Sequence, residues 1–186
     1  MPLSRFCEWL ATTRGSIALH ESLYMYPLVE SAHVLTLCLF VGLAATVDLR
    51  LMGLTLRRVP MSEVTSRLLP WMAAGFIVMV TTGALLFYAI PVRSFHSVFF
   101  RVKILTLILA GLNAWVFHAR IYRSVLDWDL DPHVPQGARV AGAVSLLLWA
   151  VIIVSGRMIA YNWFDCDKQP QRPIVNALAG CVVRSR

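Results

Sequence analysis

Apolar residues gather along this chain in four stretches, each close to the roughly 20 residues that carry a helix across a bilayer. They run from about 28 to 56, 68 to 92, 94 to 119 and 140 to 163, with charge absent or held to their ends. Glu30 and Asp48 bracket the uncharged centre of the first. They stand 18 residues apart, about 27 Å of helix, which sets the two carboxylates near opposite membrane boundaries. The second stretch carries no charge, the third has Lys103 near its start, and the fourth has Arg157 near its end. Ahead of them, Leu3, Phe6, Cys7 and Leu10 recur at helical spacing behind Ser4, predicting a short amphipathic helix that ends by Gly15. Trp9, Tyr24 and Tyr26 suit a membrane interface. The pattern predicts an all-α, polytopic membrane four-helix bundle: an interfacial segment over 1–27, a transmembrane domain over 28–163 and a polar tail over 164–186.

The connections are short, except for Arg120 to Arg139, which holds Asp127, Asp129 and Asp131. Gly42, Gly75, Gly83, Gly111 and Gly142 mark places where helices can approach closely. In the tail, the apolar run from Ile174 to Val183 is too short to span and suits the interface.

Composition agrees with a membrane protein. Of 186 residues, 58% are hydrophobic and 15% charged, against about 45–50% and about 25% in soluble domains. The net charge of +7 comes from arginines beside the spans, not from one basic run, so the partner it implies is the lipid bilayer and not nucleic acid. Residues 1–27 lack an apolar h-region, so the first span is expected to be an anchor and not a cleaved leader. Basic density in the short loops, from Arg57, Arg58, Arg67, Arg120, Arg123 and Arg139, predicts that these two connections are cytoplasmic and both termini lie outside. Of four cysteines, Cys38 falls mid-span, while Cys7, Cys166 and Cys181 share one side. If that side is oxidising, Cys166 to Cys181 is the simplest disulfide.

Ionisable groups inside spans are costly, so they are the first places to look for chemistry. At 100° per residue, Glu30, His33, Leu37, Ala44 and Asp48 share one face of the first span, and His96, Lys103, Leu107, Ala114 and His118 share a face of the third. His96 and His118 are 22 residues apart, about 33 Å, and cannot share a metal. His33 and His96 fall at similar depth and can. Two such imidazoles across an apolar slot are what haem b needs. Lys103 and Arg157 would then serve the propionates, and Phe95, Phe99 and Phe100 would line the slot. Against this stands an ordinary alternative: His33 hydrogen-bonded to a neighbouring helix and His96 in a loop.

Glu30-x-x-His33, with Met25 nearby, also has the spacing of a bundle metal site, which would suit copper; the plainer alternative is Glu30 paired with Arg157. On the far side, Asp48 with Arg50 or Arg139, and His118 with Asp48, read as structural ion pairs, a second haem pocket or a proton route. No Ser/His/Asp arrangement, phosphate loop or HExxH is present, so hydrolase and nucleotide chemistry have no support.

The run from Pro27-Leu-Val-Glu-Ser-Ala-His33 through Val41-Gly-Leu to Asp48-Leu-Arg-Leu-Met-Gly53 resembles an uncharacterised bacterial family of four-helix membrane proteins. Thr82-Gly83, Phe100-Arg-Val-Lys103, Gly111-Leu-Asn113 with His118, and Trp149 with Gly156-Arg157 extend the likeness over about residues 5–163. More distantly the layout is similar to CopD-type copper-resistance proteins and four-helix cytochromes b. That resemblance implies histidine ligands at His33 and at His96 or His118. The expected function is a haem b subunit passing electrons between the quinone pool, or a membrane partner, and a redox protein. The alternatives are a copper or small-cation permease and a non-catalytic subunit of a membrane complex.

Overall fold

A computed structural model of the chain describes residues 2–129, 134–161, 166 and 172–181. Two short helices, α1 (Pro2–Ala11) and α2 (Arg14–Glu21), precede two long ones, α3 (Met25–Leu51) and α4 (Met61–Ala89). Then come α5 (Pro91–His96), the long α6 (Val98–Arg120), α7 (Val125–Trp128), the long α8 (Gln136–Tyr161) and α9 (Pro173–Ala179). The described residues contain no strand, and the four long helices are long and apolar enough to cross a membrane.

The helix ends have local causes, and they move the expected boundaries. The first span stops at Leu51, not 56, because Gly53 takes a left-handed conformation (φ 72°), the Gly53 N–H donates to the Arg50 carbonyl and the Leu54 N–H to the Leu49 carbonyl, both at 3.0 Å. The second begins at Met61, seven residues before the charge-free stretch, because its first turn is capped from elsewhere. Asp129 accepts from the Ser62 N–H at 2.8 Å and from the Ser62 hydroxyl at 2.5 Å. The third begins at Val98: extended backbone at Ser97 (ψ 121°) breaks the helix there, and the Ser97 hydroxyl accepts from the Phe100 N–H. The fourth runs from Gln136 to Tyr161, while Trp163, its expected end, lies outside the described residues.

The long helices form an open arc instead of a closed square. α4 packs on α3, α3 on α8 and α8 on α6. Phe40 anchors the middle of the arc, 4.9 Å from the Trp149 ring and 5.6 Å from Phe76, over Ala44, Met79 and Ile152. α3 and α8 come closest at Gly142, where a Cβ would fall 2.8 Å from the Asp48 carbonyl oxygen. The side between α4 and α6 lacks comparable packing, and Phe87 and Phe100 stack across it at one end (centroids 5.4 Å, 18°). That end also gathers the N-terminal helices: the Ser16 hydroxyl donates to the Tyr88 carbonyl at 2.8 Å, Thr13 bonds the Tyr88 hydroxyl, and α1 lies against α5. α1 leaves Leu3, Phe6 and Trp9 exposed, the apolar face expected of an interfacial helix.

Arg50 holds the opposite end together. Only 2% exposed, it donates through Nε to the Val59 carbonyl at 3.0 Å and through Nη2 to the Asp129 carbonyl at 3.4 Å. It thereby ties the α3–α4 loop to the segment after α7. This replaces the expected pairing of Arg50 with Asp48.

Candidate functional site

The open side of the arc encloses a cleft of about 990 Å³, floored by α3 and α8 and walled by α4 and α6. Apart from its two ends it is lined by Leu, Met, Phe and Ala side chains such as Leu37, Met72, Phe76, Leu107 and Ala110. Its size lies at the upper end of the roughly 300–1,000 Å³ usual for small-molecule and cofactor sites.

His33 and Lys103 mark the end nearer the termini. His33 Nδ1 lies 3.0 Å from the Met79 carbonyl oxygen and 3.0 Å from Thr82 Oγ1. A carbonyl can only accept, so Nδ1 carries the proton, and Nε2 is the lone-pair nitrogen. Gly83 leaves room for the ring: a Cβ there would come 3.1 Å from His33 Cε1. Lys103 approaches from α6, with Gly156 beside its Nζ, and among the described residues it forms no ion pair. Hydrogen bonding to a neighbouring helix, the plain alternative for His33, is thus what its Nδ1 does. The same bond leaves the Nε2 lone pair available to accept a proton or ligate a metal.

The other expected members of this cluster are elsewhere. His96 sits on α5 across the break at Ser97, so no single helical face joins it to Lys103. Its Nδ1 lies 3.0 Å from the Ala179 carbonyl oxygen, and Arg101 donates to the Leu178 and Ala179 carbonyls. Both residues clamp the C-terminal end of α9, where a cation also meets the negative pole of the helix. Arg157 is exposed, and its guanidinium lies 4.7 Å above the Tyr161 ring while Nη2 donates to the Tyr161 hydroxyl at 2.8 Å. This is the geometry of an anchor reaching for the interface. Glu30 is exposed and pairs with no arginine among the described residues. Neither Arg157 nor Glu30 lines the cleft. No group of three His, Cys, Asp or Glu able to hold a metal occurs among the described residues.

The opposite end of the cleft holds Asp48, Thr65, Asn113, Ser145, His118 and Tyr122. Asp48 is 6% exposed, Ser145 reaches its carboxyl, and its Oδ2 has no hydrogen-bond partner. Asn113 donates to the Ala141 carbonyl at 3.0 Å, and the exposed His118 stacks on Tyr122 (5.2 Å, 19°). The expected pairs of Asp48 with Arg50, Arg139 or His118 do not form among the described residues. The signal that sequence reasoning missed here is Thr65.

Cys166 and Cys181 form a disulfide, with Cα atoms 5.3 Å apart. Cys7 is buried in the N-terminal layer, where burial and then the Glu8 charge push its thiol up, and Cys38 is exposed on the lipid-facing side of α3.

A family model matches residues 6–162, which takes in the N-terminal layer and all four long helices. The chain belongs to DUF6644, a family of unknown function. No curated protein and no solved structure matches it. In this DUF6644 member the matched region includes both polar ends of the cleft and stops short of the disulfide-bearing tail.

Proposed function

We propose that this protein is a haem b-binding subunit of a bacterial inner membrane, which passes single electrons between the quinone pool, or a membrane partner, and a redox protein on the side of its termini. The observation that carries the reading is His33: its Nδ1 is fixed by the Met79 carbonyl, its Nε2 has no hydrogen-bond partner among the described residues, and it lines an apolar cleft that Lys103 also lines. Metal-binding histidines characteristically donate their other ring N–H to a carbonyl in this way, which fixes tautomer and orientation.

The residues fit the group in three respects. His33 would offer a ring nitrogen to the iron, the apolar walls would exclude water, and Lys103 would offer a cation to a propionate. One histidine and not two would hold it, since His96 holds the tail and His118 lies 15 residues beyond Lys103, about 22 Å along α6. Bound haem would supply one-electron transfer. The chain's part is to orient the imidazole through Met79 and Thr82, to keep the ring slot open at Gly83 and to neutralise an anionic edge with Lys103. The likeness in layout to four-helix cytochromes b belongs to this proposal. CopD-like copper handling draws less support, because Glu30 and His33 do not converge with a third ligand.

The Cys166–Cys181 disulfide supports an oxidising side, hence termini in the periplasm and the His33 end facing it. Protein purified from haem-replete cells should carry a b-type Soret band that shifts on reduction. A colourless preparation rejects the proposal.

A further inference from the structure

The far end of the cleft gathers polar side chains of its own. Asp48 and Thr65 both line the cleft, and Asp48 Oδ2 and Thr65 Oγ1 are buried with no hydrogen-bond partner among the described residues. Asp48 lies three residues before the end of α3 and Thr65 four residues after the start of α4, so both sit at the end where these helices connect.

Thr65 is the odd threonine of the spans. Thr36, Thr46, Thr81, Thr82 and Thr106 each donate to the carbonyl four residues earlier, at 2.7–2.9 Å. That local bond is the usual resting place for a hydroxyl in a transmembrane helix. Thr65 does not make it, and it lines the same cleft as a carboxylate oxygen that also lacks a partner. A buried polar group without a partner costs about 1–3 kcal/mol, so two at one end of one cleft point to a ligand that satisfies them.

We infer that this end binds the head group of a membrane-soluble amphiphile bearing a hydroxyl, the chemistry shared by quinols and prenyl alcohols. A hydroxyl donates to Asp48 Oδ2 and accepts from the Thr65 hydroxyl, which satisfies both atoms at once. A ketone or ether lacks the donor that Asp48 requires. The apolar tail lies along the cleft and leaves through the unpacked side between α4 and α6, which opens to lipid. Asp48 and His33 are 15 residues apart on α3, about 22 Å, so this site stands whether or not haem occupies the other end.

The test uses full-length protein in nanodiscs and two probe pairs: decyl-benzoquinol with its dimethyl ether, and farnesol with its methyl ether. At least one hydroxyl probe should bind about tenfold more tightly than its own ether, and which one does identifies the source. Thr65→Val, close in shape and without the hydroxyl, should weaken binding of each hydroxyl probe and its ether alike, because either oxygen accepts from Thr65. Asp48→Asn should remove most of the preference, because its amide can donate to an ether oxygen as well as to a hydroxyl, and His33→Ala should leave it intact even where haem is lost. Equal binding of hydroxyl and ether in both pairs overturns the inference, as does a preference that survives Asp48→Asn or ether binding that is untouched by Thr65→Val.

Discussion

Gly142→Ala should loosen the protein through the α3–α8 contact alone. The added methyl would meet the Asp48 carbonyl oxygen at 2.8 Å and the Leu51 Cβ at 3.2 Å. Favourable contacts between such atoms lie nearer 3.5–4.0 Å, so the backbones must separate by roughly half an ångström or more. Neither neighbour is the free end of a flexible side chain, so local repacking cannot absorb the clash. Overpacking of this kind costs about 1–3 kcal/mol, while alanine in a helix returns about 0.5–1 kcal/mol relative to glycine. The net loss spans about 0–2.5 kcal/mol; its middle, about 1 kcal/mol, lowers Tm by about 2–4 °C for a chain of this size. Gly111→Ala is the matched control, because nothing lies within 4 Å of its Cβ position. It should be neutral or slightly stabilising. Thermal unfolding of the two variants in the same detergent decides the matter. A Gly142→Ala protein as stable as Gly111→Ala would refute the close approach of α3 and α8, and with it the floor of the cleft.

The capping of α4 by Asp129 should show in acid. Desolvation raises its carboxyl, but the hydrogen bonds from Ser62, the Met61 backbone and the Arg50 charge outweigh it and hold the carboxyl below the usual range. Its stabilisation is therefore fully present above the unfolded pKa of about 3.9 and is lost as pH falls through the lowered folded value. Asp129→Ala should cost about 1 kcal/mol at neutral pH and flatten that acid limb of a stability–pH curve; an unchanged curve contradicts the cap. Maleimide labelling of intact cells tests orientation: Cys166→Ser should free Cys181 for a membrane-impermeant reagent, and labelling only after lysis would put the tail in the cytoplasm. Gly83→Ala should displace the His33 ring and weaken haem retention severalfold without a large loss of fold, which haem-to-protein ratios would reveal.

Much of the cleft was legible from helical periodicity. His33, Leu37, Ala44 and Asp48 do share its α3 floor, and Lys103, Leu107, Ala114 and His118 share its α6 wall. A stripe is a property of one unbroken helix, and the reading failed where that condition failed. Ser97, a serine directly before an apolar run, was the available sign that His96 and Lys103 belong to different helices. Glu30 continues the α3 stripe by angle but lies close to the helix start, where the cleft has ended. Other features lie beyond periodicity altogether. The Asp129 cap on Ser62 joins residues 67 apart, and the buried role of Arg50 depends on carbonyls that only the folded loop presents. Thr65 looked like any threonine near a helix start; its missing back-bond is visible only in three dimensions.

The claim that one histidine organises the cofactor end is tested most directly by the reduced-minus-oxidised spectrum of three purified variants. His33→Ala should lose the b-type signal, and added imidazole should restore part of it. His96→Ala and His118→Ala should keep it, since the first holds α9 and the second stacks on Tyr122 at the other mouth. Loss of the signal in His96→Ala, or its survival in His33→Ala, would contradict the single-histidine site.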